Sequence, residues 1–252
     1  MKQRGKWQGM LTIARLNWPF YVADSVVFAG CVLAVPLFDS LQMKLAFGAA
    51  AVGAFYFLAV SLGVSHWIYD RSDLYRWNWL KRALPDNALE HAIFCHSGFD
   101  EASVDLRSKL NIPDWTILDH HDPLQMTEPS IRRARQMFPP TAETIHAPSG
   151  NWPLANQSAD CVFGLLAIHE LRNEDERAAW FAEAKRCLKP GGRVVLVEHV
   201  RDLANFLAFG PGFLHFHSAR SWRRCWRLAG LREIGEFRLT PWVRVFTIAK
   251  ND

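Results

Sequence analysis

The chain has 252 residues, enough for one ordinary domain with an appendage, and half of them are apolar. A formal net charge of +4 is too small to argue for nucleic acid as a partner. The five cysteines (31, 95, 161, 187 and 225) are odd in number and scattered without a C-x-x-C pair, so neither a disulfide framework nor a zinc site is suggested and a reducing compartment fits best.

The apolar excess lies near the start. Residues 18–38 carry one charge, Asp24, and residues 45–69 carry none. Each stretch is long enough to cross a hydrocarbon core, which takes about 20 helical residues. The link DSLQMK (39–44) is short, so the two spans are expected as an antiparallel hairpin, with Gly48, Ala49, Ala50, Ala51, Gly53 and Ala54 letting the helices approach closely. Lys2, Arg4, Lys6 and Arg15 precede the first span, Arg71, Arg76, Lys81 and Arg82 follow the second, and the link offers only Lys44. By the positive-inside rule both termini are expected on the cytoplasmic side. Trp18, Tyr21, Trp67, Tyr69, Tyr75, Trp77 and Trp79 gather at that face as an aromatic belt does. An interfacial helix is expected over 72–84, its run YRWNWLKRAL (75–84) holding the following domain against lipid headgroups. A cleaved signal peptide does not fit, because the apolar region is too long and no small-x-small site follows. The anchor is thus residues 1–84 and the remaining domain 85–252.

From residue 91 onward strands and helices alternate. Strand-like runs fall at 91–95, 115–119, 142–146, 160–166, 193–198, 231–238 and 242–249, with helical patterns at 101–110, 125–137, 174–188 and 218–229. Such alternation argues for an open, mostly parallel α/β sheet covered on both faces. Only Thr240 and Pro241 separate the last two strands, which is a hairpin distance, so one of them runs antiparallel to the rest.

Three stretches resemble the class I S-adenosylmethionine-dependent methyltransferases. WPLANQSADCVFGLLAIHEL (152–171) is similar to that family's fourth-strand region. ERAAWFAEAKRCLKPGGRVVLVEH (176–199) is similar to its helix, L-K-P-G-G turn and fifth strand, and HSARSWRRCWRLAGLREI (217–234) to the helix before its sixth strand. Pro190 would stop the helix from Glu174, and Gly191 and Gly192 permit the tight turn that follows. The resemblance implies a Rossmann-like seven-stranded methyltransferase sheet with an antiparallel last strand, preceded by the transmembrane hairpin. More narrowly, His96-Ser97-Gly98-Phe99-Asp100-Glu101, His169-Glu170-Leu171-Arg172, Glu198-His199-Val200-Arg201-Asp202 with Asn205-Phe206, and Gly212-Phe213-Leu214-His215-Phe216 resemble an uncharacterised bacterial group with such an anchor and a degenerate glycine loop.

In open α/β sheets the ligand binds outside the carboxyl ends of the strands. The resemblance implies S-adenosylmethionine there, held by the loop His96, Ser97, Gly98, Phe99 and Asp100. Asp119 would receive the ribose hydroxyls, with Asp122 as its alternative, and the backbone of Ser149 and Gly150 would meet the adenine. The loop has one glycine, and Pro148 stands where the family places an acid for the adenine. Asp100 and Glu101 would receive the ammonium group, while Ser97 and Asp100 are also candidates to cap the next helix. His169, His199 and His215 are the candidate bases, and Glu170, Arg201, Asn205 and His217 the candidate substrate contacts. Glu198, His199, His215 and His217 have no recognised metal spacing, so no metal is expected. The basic run IRRARQ (131–136) reads as a solvated helix face. The expected partners are a hydrophobic small-molecule substrate such as a quinone, isoprenoid, lipid or natural-product intermediate, membrane lipid, and a membrane protein complex.

Overall fold

The computed structural model describes residues 4–85 and 88–251, so Lys2 of the basic flank lies outside the described residues. The chain divides into two compact units, one running to Ser72 and including Leu203–Gly212, the other made of Asp73–Asp202 and Phe213 onward.

The first unit opens with α1 (Gln8–Leu16), a short helix that the apolar pattern does not announce. Two of its N–H groups have no partner within the helix, and the Asp70 carboxylate accepts them, from Gly9 at 2.6 Å and Met10 at 3.0 Å. Only glycine fits at position 9, because an added Cβ would lie 2.3 Å from Tyr69 Cβ. Then come α2 (Trp18–Ala34), closed by a 3₁₀ turn at Val35–Leu37, and α3 (Leu41–His66), which runs on through a π-type turn at Trp67–Arg71. Pro36 has no N–H to continue α2, which accounts for the tighter last turn. Lys44, expected in the link, instead donates its backbone N–H to Ser40 within the first turn of α3. Trp18–Leu37 (20 residues) and Leu41–Arg71 (31 residues) are long and apolar enough to cross a bilayer by length and composition. Of the small residues expected at their contact, Ala51 and Ala54 are buried, whereas Gly48 and Gly53 have nothing within 4 Å of an added Cβ. The Tyr21 hydroxyl meets Ser61 Oγ at 3.0 Å across the pair.

The second unit is a seven-stranded sheet in the order β3-β2-β1-β4-β5-β7-β6. Its strands are β1 (His91–His96), β2 (Asp114–Asp119), β3 (Thr144–His146), β4 (Ala159–Leu165), β5 (Leu188–His199), β6 (Leu231–Thr240) and β7 (Val243–Lys250). The first five pair parallel, and β7 runs antiparallel to both β5 and β6, the ending that the Thr240-Pro241 break predicts. The helices of this unit are α4 (Leu80–Ala83), α5 (Ser103–Leu110), α6 (Pro129–Met137), α7 (Glu174–Cys187) and α9 (Ala219–Leu228). Between β5 and α9 the chain leaves it for α8 (Leu203–Phe209), which packs on α3 within the first unit, with Tyr56 Oη donating to the Leu207 carbonyl at 3.0 Å.

Two expectations need correction. The interfacial helix over 72–84 is reduced to the single turn of α4, because Trp77 takes a left-handed φ of +65°. Trp77 and Trp79 are 5% and 3% exposed, and Trp79 Nε1 donates to the Leu74 carbonyl, so these rings belong to the protein core rather than to a belt. At L-K-P-G-G the helix ends before the proline, at Cys187, and β5 already begins at Leu188. The segment bulges between the pairs Ala159–Leu188 and Cys161–Arg193, with Gly191 at φ +78° and Gly192 packed against the Lys189 and Asp160 carbonyls. Trp180, Phe181, Trp222 and Trp226 are fully buried where α7 meets α9, an aromatic layer that fixes this side of the sheet.

Candidate functional site

The carboxyl ends of β1 and β2 carry the loop expected to hold a cofactor. Gly98 has φ +86°, and an added Cβ would lie 2.9 Å from the His121 ring, so the loop depends on glycine there. Asp119 ends β2 and is almost wholly buried. Its Oδ1 accepts the N–H of Gly98 (2.9 Å) and of His121 (3.0 Å), and its Oδ2 pairs with Arg135 at 2.5 Å. Burial alone would raise its pKa, but His96, the Arg135 guanidinium and the His121 N–H hold the carboxyl below its usual range. Asp119 therefore pins the Gly98 loop to α6, and the basic run is more than a solvated face, since Arg135 is the buried acid's counter-ion. Asp122 is exposed and closes its own turn on the Leu124 N–H at 2.8 Å.

The other loop residues divide. Asp100 Oδ1 accepts the N–H of Ala102 and Ser103, at 3.0 and 2.9 Å, and so starts α5 as expected. Ser97 takes no part in that cap. Glu101 accepts from the Tyr75 hydroxyl at 2.5 Å, and Phe99 packs edge-on against Phe138. Both carboxylates expected to meet an ammonium group thus have partners in the protein. Both His96 ring nitrogens, Ser97 Oγ and His121 Nε2 are buried without a hydrogen-bond partner among the described residues. Burial lowers the pKa of His96 and of His121, which keeps both rings neutral. After β3, the Ser149 carbonyl accepts from Trp152 Nε1, and Gly150 abuts Ala179 of α7, where an added Cβ would come within 3.1 Å. Pro148 offers no acid. His120, unremarked in the sequence, stacks on Trp152 and accepts from Trp180 Nε1, with burial pushing it down to about 4.

The carboxyl ends of β4 and β5 hold the second cluster. His169 and Glu170 sit on a 3₁₀ turn (Ile168–Glu170) directly after β4. Glu198 of β5 is fully buried, and its Oε1 accepts the N–H of Ile168 and His169 at 2.9 and 3.1 Å. Its Oε2 meets His169 Nδ1 at 2.6 Å. His215 lies opposite, its ring 5.1 Å from that of His169, with Nδ1 3.4 Å from Glu128 and Nε2 3.4 Å from Glu170 Oε1. Burial lowers the His169 pKa, but Glu198 and Glu170 outweigh it and raise the ring to about 10. His215 is raised in the same way, by Glu128 and Glu170 against burial. Glu170 is held well below the carboxylate range by His169 and His215, despite burial. An imidazole with a pKa near 10 carries its proton at neutral pH, so His169 in this state is a cationic donor and not the base expected of it.

His199 stands apart from these. It stacks on Phe216 at 4.7 Å, with Nδ1 3.1 Å from the Trp242 carbonyl. His217 Nε2 lies 3.1 Å from both the Arg177 guanidinium and the His169 carbonyl, and burial with the Arg177 and Arg172 guanidiniums pushes its pKa to about 3. Arg201, expected to contact substrate, donates to the carbonyls of Phe216 and Leu214, both at 2.7 Å, and so clamps the segment that carries His215. Asn205 is buried in α8 and belongs to the first unit. The sequence reading missed Arg135, His121 and Glu128. Only the repeated basic residues of 131–136 signalled any of them.

Residues 123–196 match the methyltransferase domain family. The match covers less than a third of the chain. The match begins after Asp119 and so leaves out β1, the Gly98 loop and β2. A malonyl-[acyl-carrier protein] O-methyltransferase from Hahella chejuensis is 51% identical over 43 residues, which are 17% of this chain and 14% of that protein. The chain therefore matches only a small part of this curated relative's length. Among solved structures, the methyltransferase chain of the complex with the Haloferax volcanii Trm112 methyltransferase activator superposes with a TM-score of 0.53 at 15% identity, covering 79% of this chain and 97% of that one. A S-adenosylmethionine-dependent methyltransferase from Mesorhizobium loti gives 0.47 at 17% identity, covering 70% and 98%. The likeness to the Haloferax chain shows that the two share a fold, and S-adenosylmethionine is the cofactor that the matched family implies.

The residues present fit that cofactor at the loop. His96 Nε2, His121 Nε2 and the Ser97 hydroxyl, which have no hydrogen-bond partner among the described residues, are polar atoms that a ligand beside Gly98 would satisfy, while His96 Nδ1 lies 3.5 Å from Asp119 Oδ1. Asp119 does not fit the ribose role as it stands, because both of its oxygens already have partners.

Proposed function

We propose that this chain is a S-adenosylmethionine-dependent methyltransferase anchored in the bacterial inner membrane by α2 and α3, with both termini and the catalytic unit cytoplasmic. Its substrate is a hydrophobic or membrane-resident small molecule: a quinone, isoprenoid, lipid or natural-product intermediate. The observation that carries the reading is the His169–Glu170–Glu198–His215 cluster, with His169 and Glu198 buried, at the carboxyl ends of β4 and β5, the edge where open α/β sheets bind ligands. A purely structural role would not need two imidazoles aimed at one carboxylate there. The apolar hairpin supports the substrate class, since tethering raises the encounter rate with a molecule confined to the bilayer.

When bound, S-adenosylmethionine supplies an electrophilic methyl group for in-line displacement. His96, Ser97, Gly98 and His121 are the residues that would hold it. The His169–Glu198 pair would then orient the acceptor's oxygen or nitrogen, the ionised Glu170 would receive the proton it loses on methylation, and His215 completes the rim. The test is transfer of labelled methyl from S-adenosylmethionine into a membrane lipid extract by the full chain in detergent. Label in an organic-soluble product that is absent with His169→Ala supports the reading, and absence of any labelled product contradicts it.

One observation favours a second reading, a catalytically inactive methyltransferase fold acting as a scaffold in a membrane biosynthetic complex. Asp119 is locked to Arg135, and the His121 ring crowds the Gly98 loop. A scaffold would keep its partners' activity when His169 or His199 is replaced by alanine, and an enzyme would not.

A further inference from the structure

Two imidazole–carboxylate contacts of the histidine cluster converge on one oxygen. His169 Nε2 lies 3.6 Å from Glu170 Oε1, and His215 Nε2 lies 3.4 Å from the same oxygen. Both separations are long for a charge-assisted hydrogen bond, which closes to about 2.7–2.9 Å. They match the edge of a coordination tetrahedron: ligands about 2.1 Å from a common ion are about 3.4 Å apart. One ligand atom from each of His169, Glu170 and His215 falls within 4.8 Å of the others.

The outer contacts point the same way. His169 directs Nδ1 to Glu198 at 2.6 Å, and Glu128 lies a looser 3.4 Å from His215 Nδ1, so both Nε2 atoms are on the Glu170 side of their rings. A carboxylate behind each imidazole is the arrangement that orients metal-binding histidines and raises their basicity. Glu198 is itself fixed, fully buried and gripped by two backbone N–H groups. Arg172 donates to the carbonyls of both His169 and His215, bracing the two turns that carry the ligands. Three carboxylates (Glu128, Glu170 and Glu198) face two imidazoles and Arg172 here, so a metal ion that binds takes the place of the imidazole protons.

We propose that His169, Glu170 and His215 bind a first-row divalent metal ion such as Zn²⁺, with Glu198 and Glu128 as the carboxylates that orient its imidazoles. Two nitrogens and one oxygen leave at least one coordination position open. Nitrogen ligands favour a transition metal over Mg²⁺ or Ca²⁺. The site stands independently of methyl transfer, because metal binding is read without cofactor or substrate.

The test uses the full chain in detergent, stripped with a chelator and dialysed. Zn²⁺ titrated by calorimetry is expected to bind at one equivalent per chain with a sub-micromolar Kd, undisturbed by excess Mg²⁺. Co²⁺ should give the intense visible bands of a four- or five-coordinate ion, bleached by added Zn²⁺. His215→Ala and Glu170→Gln are each expected to weaken Zn²⁺ at least 100-fold. Glu198→Gln should keep the stoichiometry and weaken binding by about 10–100-fold, as loss of an outer partner does. Absence of stoichiometric Zn²⁺ and of Co²⁺ bands in the unaltered protein would overturn the proposal, whatever the variants' folding. So would unchanged affinity in folded His215→Ala, which would place the ion elsewhere.

Discussion

The two ends of the sheet edge are built from the same parts and end in opposite states. At β1 and β2 a buried carboxylate, Asp119, is saturated by two backbone N–H groups and Arg135, while His96 Nε2, Ser97 Oγ and His121 Nε2 near it have no hydrogen-bond partner among the described residues. At β4 and β5 the buried carboxylate, Glu198, is also held by two backbone N–H groups, but its second oxygen fixes an imidazole that faces a further carboxylate. One carboxylate is used up in holding a loop, and the other extends its hold to a reactive group. A buried acid by itself is thus a poor marker of function; what matters is whether its last partner is an end point or a relay.

Breaking the relay should cost most. Glu198→Ala removes a fully buried charge and strands His169, so it is expected to destabilise the protein by about 3–5 kcal/mol in urea unfolding. A loss under 1 kcal/mol would mean that Glu198 is not the organiser of this cluster. Gly98→Ala is next: the left-handed φ and the His121 ring 2.9 Å from the new Cβ predict a loss of about 2–3 kcal/mol. Arg135→Ala should cost about 1–3 kcal/mol, at the lower end because the Arg135 side chain is 30% exposed. Its more telling readout is cofactor affinity. If the ion pair merely closes the ribose position, Arg135→Ala leaves S-adenosylmethionine binding unchanged or tighter, and weaker binding would show that Arg135 itself holds the ligand.

The smallest effect is acid dependence. Asp119 has its folded pKa held below the unfolded value of about 3.9. Its contribution is therefore complete above that value and is lost as pH falls through the folded pKa. Thermal unfolding of the unaltered protein and of Asp119→Asn should differ at pH 6 and converge below pH 4. A constant difference across that range would contradict the assigned direction.

Much of the fold was legible because it rests on local pattern. Alternating apolar runs located all seven strands to within a few residues, and Thr240-Pro241 announced the antiparallel hairpin. The aromatic run after the second span was misread for a physical reason. Tryptophans suit both a membrane interface and a protein core, and the left-handed turn at Trp77 that decides between them has no glycine to announce it. The site was legible by residue type but not by pairing. His169, Glu170 and His215 stood out as candidates, yet the partners that define them, Glu198 and Glu128, lie 29 and 41 residues from His169 along the chain. Arg135 looked like any exposed helical arginine, since nothing local records that Asp119 lies beside it.

The central claim is that the remodelled Gly98 loop still holds the methyl donor. Calorimetric titration of the full chain in detergent with S-adenosylmethionine tests it most directly, read together with hydrogen exchange of the backbone amides at 96–100. The account predicts saturable one-to-one binding and slowed exchange in that loop. No binding heat and unchanged exchange would contradict it.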